Sequence, residues 1–161
     1  MDQGFYGEAE LSSIPELSRN LSRGCGNSTG FANLQPGETV VDFGCGGGID
    51  VILAAHKVGS QRTGLSDRMM LLAAGSEQQI KEDSVDFVTA LYVIEIVDQP
   101  AFFNDMCRAM KPGAKILMLE PRFHVAEKEF RRSVEMAEAT GLVLTSDVDF
   151  SRRLSVVLSK P

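Results

Sequence analysis

A short apolar stretch that ends in an acid and runs straight into glycines constrains this chain more than any other segment: Thr39-Val40-Val41-Asp42-Phe43-Gly44-Cys45-Gly46-Gly47-Gly48-Ile49-Asp50. It reads as a strand, a tight loop and the start of a helix. Gly44, Gly46 and Gly48 accept positive φ and leave no Cβ in the way. A ligand can therefore lie against the backbone where the first strand-to-helix turn meets the helix N-terminus. The alternative is a tight turn that serves packing only, but four glycines in five positions are costly in an ordered chain unless something uses the space. The spacing narrows the ligand to a nucleotide type other than two common ones. A G-x-G-x-x-G dinucleotide fingerprint needs glycine at 49, where Ile49 stands, and a phosphate loop needs G-K-[ST], which is absent.

At 161 residues and 43% hydrophobic content the chain has material for one core, so a single domain over 1–161 is expected, with 1–37 as an N-terminal cap segment. The net charge of −6, with no basic run, argues against nucleic acid or an anionic membrane surface as a partner and favours a small molecule. No apolar run approaches the ~20 residues of a membrane-spanning helix. The start Met1-Asp2-Gln3-Gly4 lacks the charged-then-apolar order of a signal peptide, so a cytoplasmic protein is expected. Cys25, Cys45 and Cys107 are odd in number and widely spaced, which fits reduced thiols, and no metal-ligand spacing is seen.

Strand and helix signals alternate, which predicts an α/β fold with a mainly parallel sheet. Strands are expected at Thr39–Phe43, Val85–Leu91 and Lys115–Glu120, with Leu142–Leu144 and Leu154–Leu158 as a terminal antiparallel pair. Helices are expected from Ile14-Pro15-Glu16-Leu17 onward, over about Gly48 to Val58, over about Ala101 to Met110, and over Glu127 to Thr140. The third of these should stop at Lys111-Pro112-Gly113, where proline and glycine end a helix.

Asp-x-Gly-x-Gly-x-Gly at 42–48 resembles motif I of the class I S-adenosylmethionine-dependent methyltransferases. Leu21-Ser22-Arg23-Gly24-Cys25-Gly26-Asn27 and Leu34-Gln35-Pro36-Gly37-Glu38 resemble arsenite methyltransferases and their relatives. Ser84-Val85-Asp86-Phe87-Val88 and Arg108-Ala109-Met110-Lys111-Pro112-Gly113 resemble the quinone-biosynthesis-type methyltransferases. The resemblance implies a three-layer Rossmann-like fold with S-adenosylmethionine as cofactor. Gly44, Gly46 and Gly48 would take its methionine and ribose side, with Cys45 in the same loop, and Asp42 would order the loop or meet the cofactor's amino group.

The chain departs from that pattern between Gly59 and Ser84. From the family's first strand to its fourth, three helices, two strands and their connections need roughly 60 residues. Here Asp42 and Asp86 are 44 positions apart, so about one strand-helix unit is missing or shortened. The family's acid for the ribose hydroxyls has one near counterpart, Asp67, and Ser76 stands where the adenine-contacting Asp is expected. Each lost charge-assisted hydrogen bond costs about 1.5–3 kcal/mol.

Leu91, Tyr92 and Glu95, after the strand at 85–91, are expected to face the transfer site, Leu91 from the cofactor side. Tyr92, Glu95 and, as a general base, His124 are the catalytic candidates, each weighed against an ordinary loop or surface role. His56 reads as structural. Cys25 matches a thiol that the arsenite enzymes use, but its companions are not evident: position 92 is tyrosine, and Cys107 is expected to be buried in a helix. The expected function is methyl transfer from S-adenosylmethionine to an undetermined small molecule. The alternatives are a catalytically inactive ligand-binding or interaction module and an arsenite methyltransferase. The apolar run Met69-Met70-Leu71-Leu72-Ala73-Ala74 is expected either to patch the shortened sheet or to mediate a homodimer.

Overall fold

In the computed structural model, which describes residues 6–21, 28–59, 76–147 and 153–161, the alternating strand and helix signals become a mixed sheet with helices. The chain divides into two compact units, Met1–Glu38 with Gly44–Leu71 and Thr39–Phe43 with Leu72–Pro161. Among the described residues no helix is long and apolar enough to cross a membrane.

The second unit holds the sheet. Its strands are β1 (Val40–Phe43), β2 (Val85–Leu91), β3 (Met110–Pro121), β4 (Val143–Asp147) and β5 (Arg153–Ser159), in the order β1-β2-β3-β5-β4. β1, β2 and β3 run parallel, and β5 is antiparallel to both β3 and β4. This is the expected α/β arrangement with its C-terminal antiparallel strands. The middle strands are apolar on both faces: six of the seven residues of β2 are buried, and β3 is buried from Ile116 to Pro121. Such near-continuous runs are what strands covered on both sides require.

Two helices of this unit, α5 (Gln99–Ala109) and α6 (Glu127–Ala139), supply Phe102, Phe103, Met106, Phe130 and Val134 to one core with Val88, Ile116, Met118 and Leu158. Phe103 is fully buried, and truncating such a ring to alanine costs about 3–5 kcal/mol. Asp98 Oδ1 accepts the Ala101 N–H at 3.4 Å to cap α5, which opens two residues earlier than the sequence suggests, with Pro100 in its first turn. Phe43, the last residue of β1, meets Phe102 edge-on with ring centroids 4.8 Å apart, which fixes the carboxyl end of that strand against α5.

Three expected boundaries are corrected. β1 begins at Val40 rather than Thr39, because the Thr39 N–H is taken by the Asp86 side chain at 2.9 Å instead of a ladder carbonyl. α5 ends at Ala109, and β3 begins at once at Met110 instead of Lys115. The β2–β3 register jumps from Val85↔Met110 to Phe87↔Lys115, so four residues of β3 oppose one of β2. Pro112, which lacks an N–H, and Gly113, at φ 82°, occupy this irregular stretch rather than a turn outside the strand.

The first unit is helical where described: α1 (Glu8–Ser12), α2 (Glu16–Leu21), α3 (Ser28–Phe31) and α4 (Ile49–Val58). Tyr6, Ile14 and Leu11 pack with Ile49, Ile52 and Leu53 of α4. Lys57 Nζ donates to Thr29 O at 2.8 Å, and the Gly37 N–H donates to Val58 O at 2.7 Å. The N-terminal segment thus docks on the helix that follows the glycines. His56, expected to be structural, is exposed on α4. Most of the shortened stretch, Asp67 and Met69–Ala74 included, and Cys25 lie outside the described residues.

Candidate functional site

The glycine turn adopts the geometry that its composition permits. Gly44, Gly46 and Gly48 have φ of 71°, 51° and 78°, left-handed backbone that side chains rarely tolerate. The Gly48 N–H donates to Cys45 O at 2.7 Å, which closes the turn, and Gly48 is the N-cap of α4. A Cβ built on Gly48 meets nothing within 4 Å, and one on Gly46 meets only Gly44 O at 3.9 Å. Among the described residues, packing does not demand glycine at Gly46 and Gly48, which leaves room beside the backbone for a ligand. Behind the turn, Tyr6 Oη donates to Asp50 Oδ2 at 3.1 Å in the first turn of α4, tying the N-terminal segment to the helix start.

The second unit gathers its own set of site residues at the carboxyl ends of three adjacent parallel strands, where open α/β sheets bind ligands. Asp42 and Thr89 are register partners on β1 and β2, and Thr89 Oγ1 donates to Asp42 Oδ1 at 2.5 Å. Leu91, at the end of β2, is buried opposite Leu119. Tyr92 follows with φ 60°, a conformation that bulky residues hold only where neighbours enforce it. The enforcing contacts are its N–H, which donates to Leu119 O at 2.9 Å, and its hydroxyl, which accepts from Arg153 Nε at 2.7 Å.

The other candidates are placed elsewhere. Glu95 is exposed in a 3-10 turn, Ile94–Ile96. His124 is exposed beside Phe123, itself 83% exposed, with ring centroids 4.6 Å apart. Ser76 precedes another 3-10 turn, Glu77–Gln79, and its carbonyl accepts the Gln79 N–H at 2.9 Å. Cys107 is partly rather than fully buried on α5, and its Sγ–H donates to Thr140 O at 3.1 Å.

Glu120 is the residue that the sequence reading passed over as the end of an apolar strand. It is 2% exposed, and Oε1 accepts the Ile94 N–H at 2.9 Å. Burial raises its carboxyl to about 7, and the nearby Glu95 charge adds to the rise; the backbone N–H groups of Ile94 and Val93 oppose it. An acid closing an apolar strand, the signal that had singled out Asp42, was available for Glu120 as well.

Comparison with known proteins fits this geometry. Residues 16–141 match a family model described as a methyltransferase domain. An arsenite methyltransferase of Halobacterium salinarum is 28% identical over 133 residues, covering 69% of this chain and 34% of that protein. Phosphoethanolamine N-methyltransferase 1 of Zea mays is 30% identical over 105 residues, covering 53% of this chain and 21% of that protein. The chain therefore spans about a third or less of these relatives' length. Among solved structures, a SAM-dependent methyltransferase from Aquifex aeolicus superposes with a TM-score of 0.70 at 16% identity, covering 97% of this chain and all of that one. An arsenic(III) S-adenosylmethionine methyltransferase from Chlamydomonas reinhardtii gives 0.64 at 16% identity, covering 94% of this chain and 72% of that one. At such identities the structural likenesses speak for the fold.

Proposed function

This chain belongs to the methyltransferase domain family, and on that footing we propose that it binds S-adenosylmethionine at the glycine turn and passes its methyl group to a small-molecule acceptor. The observation that carries the reading is the turn itself, with left-handed backbone at three glycines and open space where side chains at Gly46 and Gly48 would stand. Gly44, Gly46 and Gly48, with Cys45, are assigned to the methionine and ribose side of the cofactor. Asp42, held by Thr89, is assigned to the cofactor's amino group or to ordering the loop. Asp67, for the ribose hydroxyls, and Ser76, near the adenine, rest on the sequence resemblance alone.

The cofactor, when bound, supplies a methyl group already activated by its sulfonium. The protein's part is to align a nucleophile and keep water out. Leu91, buried at the end of β2, suits the water-excluding role. Tyr92 is the preferred acceptor-side contact, because its strained backbone and its bond from Arg153 fix the hydroxyl, whereas Glu95 and His124 are exposed. Arsenite is the less favoured acceptor. Trivalent arsenic is soft and is held by several thiolates, and of the expected set only Cys25 has a matching position. The net charge of −6 supports an acceptor other than nucleic acid, and a cytoplasmic setting is proposed on the hydropathy pattern of the sequence alone. Self-association through Met69–Ala74 also rests on the sequence alone.

Calorimetric titration with S-adenosylmethionine and S-adenosylhomocysteine, repeated on Gly46→Val, tests the reading. Saturable binding by the wild type, lost in a variant that still melts cooperatively, is the expected result. The left-handed backbone at Gly46 adds a strain of about 1–2 kcal/mol for valine, so the melt is recorded on the same sample. A wild type that binds neither compound, or a folded variant with unchanged affinity, overturns it.

A further inference from the structure

A second cleft lies wholly within the sheet-bearing unit, between the 3-10 turn Ile94–Ile96, the start of α5, the end of β3 and α6. Its volume is about 320 Å³, at the lower end of the range for small-molecule sites. Ile94, Val125, Phe130 and Met136 give it apolar walls. Set into them are three carboxyl groups, Glu95, Glu120 and Glu129, against one guanidinium, Arg132.

Two acceptors in this lining are buried. Glu120 is 2% exposed, and its carboxylate accepts from the backbone N–H groups of Ile94 and Val93. Gln99 Oε1 is buried and has no hydrogen-bond partner among the described residues. The Gln99 amide cannot simply be turned round. Its Nε2 donates to Ile94 O at 3.1 Å, and reversing the amide would set oxygen against oxygen. A buried acceptor without a donor, as Gln99 Oε1 is among the described residues, is rare in native proteins and calls for an explanation. A ligand that is all donor at one end and apolar at the other meets both demands of this cleft.

We propose that this cleft binds a small organic ammonium ion, its charged head donating to Glu120 and Gln99 and its hydrocarbon part packed on Phe130 and Met136. The proposal does not rest on the methyl-transfer reading, and its test needs no cofactor. An anion is disfavoured by the three carboxyl groups. A neutral ligand would leave the Glu120 charge unmatched at alkaline pH, where burial makes that charge most costly.

The charged and polar groups that line the cleft with Glu120 set the pH behaviour. They are Glu95 from the 3-10 turn, Glu129 and Arg132 from α6, and the neutral Gln99 from α5. Because Glu120 is half protonated near pH 7 when the cleft is empty, an incoming ammonium must displace that proton under acid conditions and finds the carboxylate ready under alkaline ones. Affinity should thus rise about tenfold from pH 6 to pH 8, with a proton released on binding at the lower pH.

Calorimetry on the full chain without cofactor, in two buffers of different ionisation enthalpy, provides the test. The probes are 2-phenylethylamine, the neutral 2-phenylethanol and the anionic 3-phenylpropanoate. The amine is expected to bind at least tenfold more tightly than the other two, with the pH dependence just given. Glu120→Gln should weaken the amine about tenfold or more and flatten the pH profile, and Gln99→Leu should weaken it several-fold. Equal binding of the alcohol or the anion overturns the proposal, as does undiminished amine binding by either variant when it melts like the wild type. If Glu120→Gln does not fold, the wild-type pH profile and Gln99→Leu decide: affinity that is flat from pH 6 to pH 8 overturns the assignment to Glu120.

Discussion

Lys111 Nζ stands 2.6 Å from Asp86 Oδ2, and the same oxygen accepts the Thr39 N–H at 2.9 Å. One carboxylate therefore ties together the amino ends of β1, β2 and β3. Ser84–Val88 and Arg108–Gly113, two segments that carry one family resemblance, are halves of one structural joint. Burial alone would raise the Asp86 carboxyl. The Lys111 hydrogen bond, the Thr39 N–H and the Lys111 charge together outweigh it and hold the group below its ordinary value of 3.8.

Asp86→Asn should therefore destabilise the protein by about 1 kcal/mol near neutral pH, a modest figure because Lys111 is 41% exposed. A group with a depressed folded pKa contributes stability that is present above its unfolded value and lost as the pH falls through the folded one. Urea melts should show the difference between wild type and variant shrinking below pH 3.8. A difference that persists undiminished in stronger acid would count against the ion pair as its source.

Glu120 gives the opposite slope. Its folded value of about 7 lies above its ordinary 4.5, so the folded state holds a proton that the unfolded chain has released. Stability should fall as the pH rises between those values, by at most about 3 kcal/mol. Glu120→Gln keeps an acceptor for the Ile94 N–H and removes the charge. Melts at pH 5 and pH 8 should show the wild type losing more stability than the variant. Parallel losses would place the pH dependence elsewhere.

Tyr92→Phe removes the hydroxyl that accepts from Arg153 Nε and should cost about 1 kcal/mol of stability. If Tyr92 also touches the acceptor, kcat should drop well beyond what the folded fraction explains. Normal turnover by a properly folded Tyr92→Phe would confine this residue to anchoring Arg153.

Thr89→Val preserves shape and deletes the donor to Asp42 Oδ1. A loss of about 1–3 kcal/mol is expected from leaving the carboxylate short of a partner, together with weaker cofactor binding if Asp42 orders the loop. Thermal melts and titration with S-adenosylhomocysteine on one preparation separate the two effects. Unchanged affinity would restrict Asp42 to a structural role.

What the sequence by itself determined lies within single segments. β2 runs from Val85 to Leu91 as its apolar run indicates, α6 starts at Glu127, and Gly44, Gly46 and Gly48 take the left-handed turn, because periodicity and glycine chemistry act over a few residues. The tertiary structure decided the rest. Lys111-Pro112-Gly113 reads locally as a helix stop with a turn, yet β2 pairing and the Asp86 carboxylate draw it into β3. The Tyr92 hydroxyl is held by Arg153, 61 positions away, and the buried Glu120 carboxylate is met by the Ile94 N–H, 26 positions away. Burial and partner choice depend on which distant segments meet. An acid at the end of an apolar strand marks Glu120 locally as it marks Asp42, but its burial and its Ile94 partner are set by segments that no local pattern encodes.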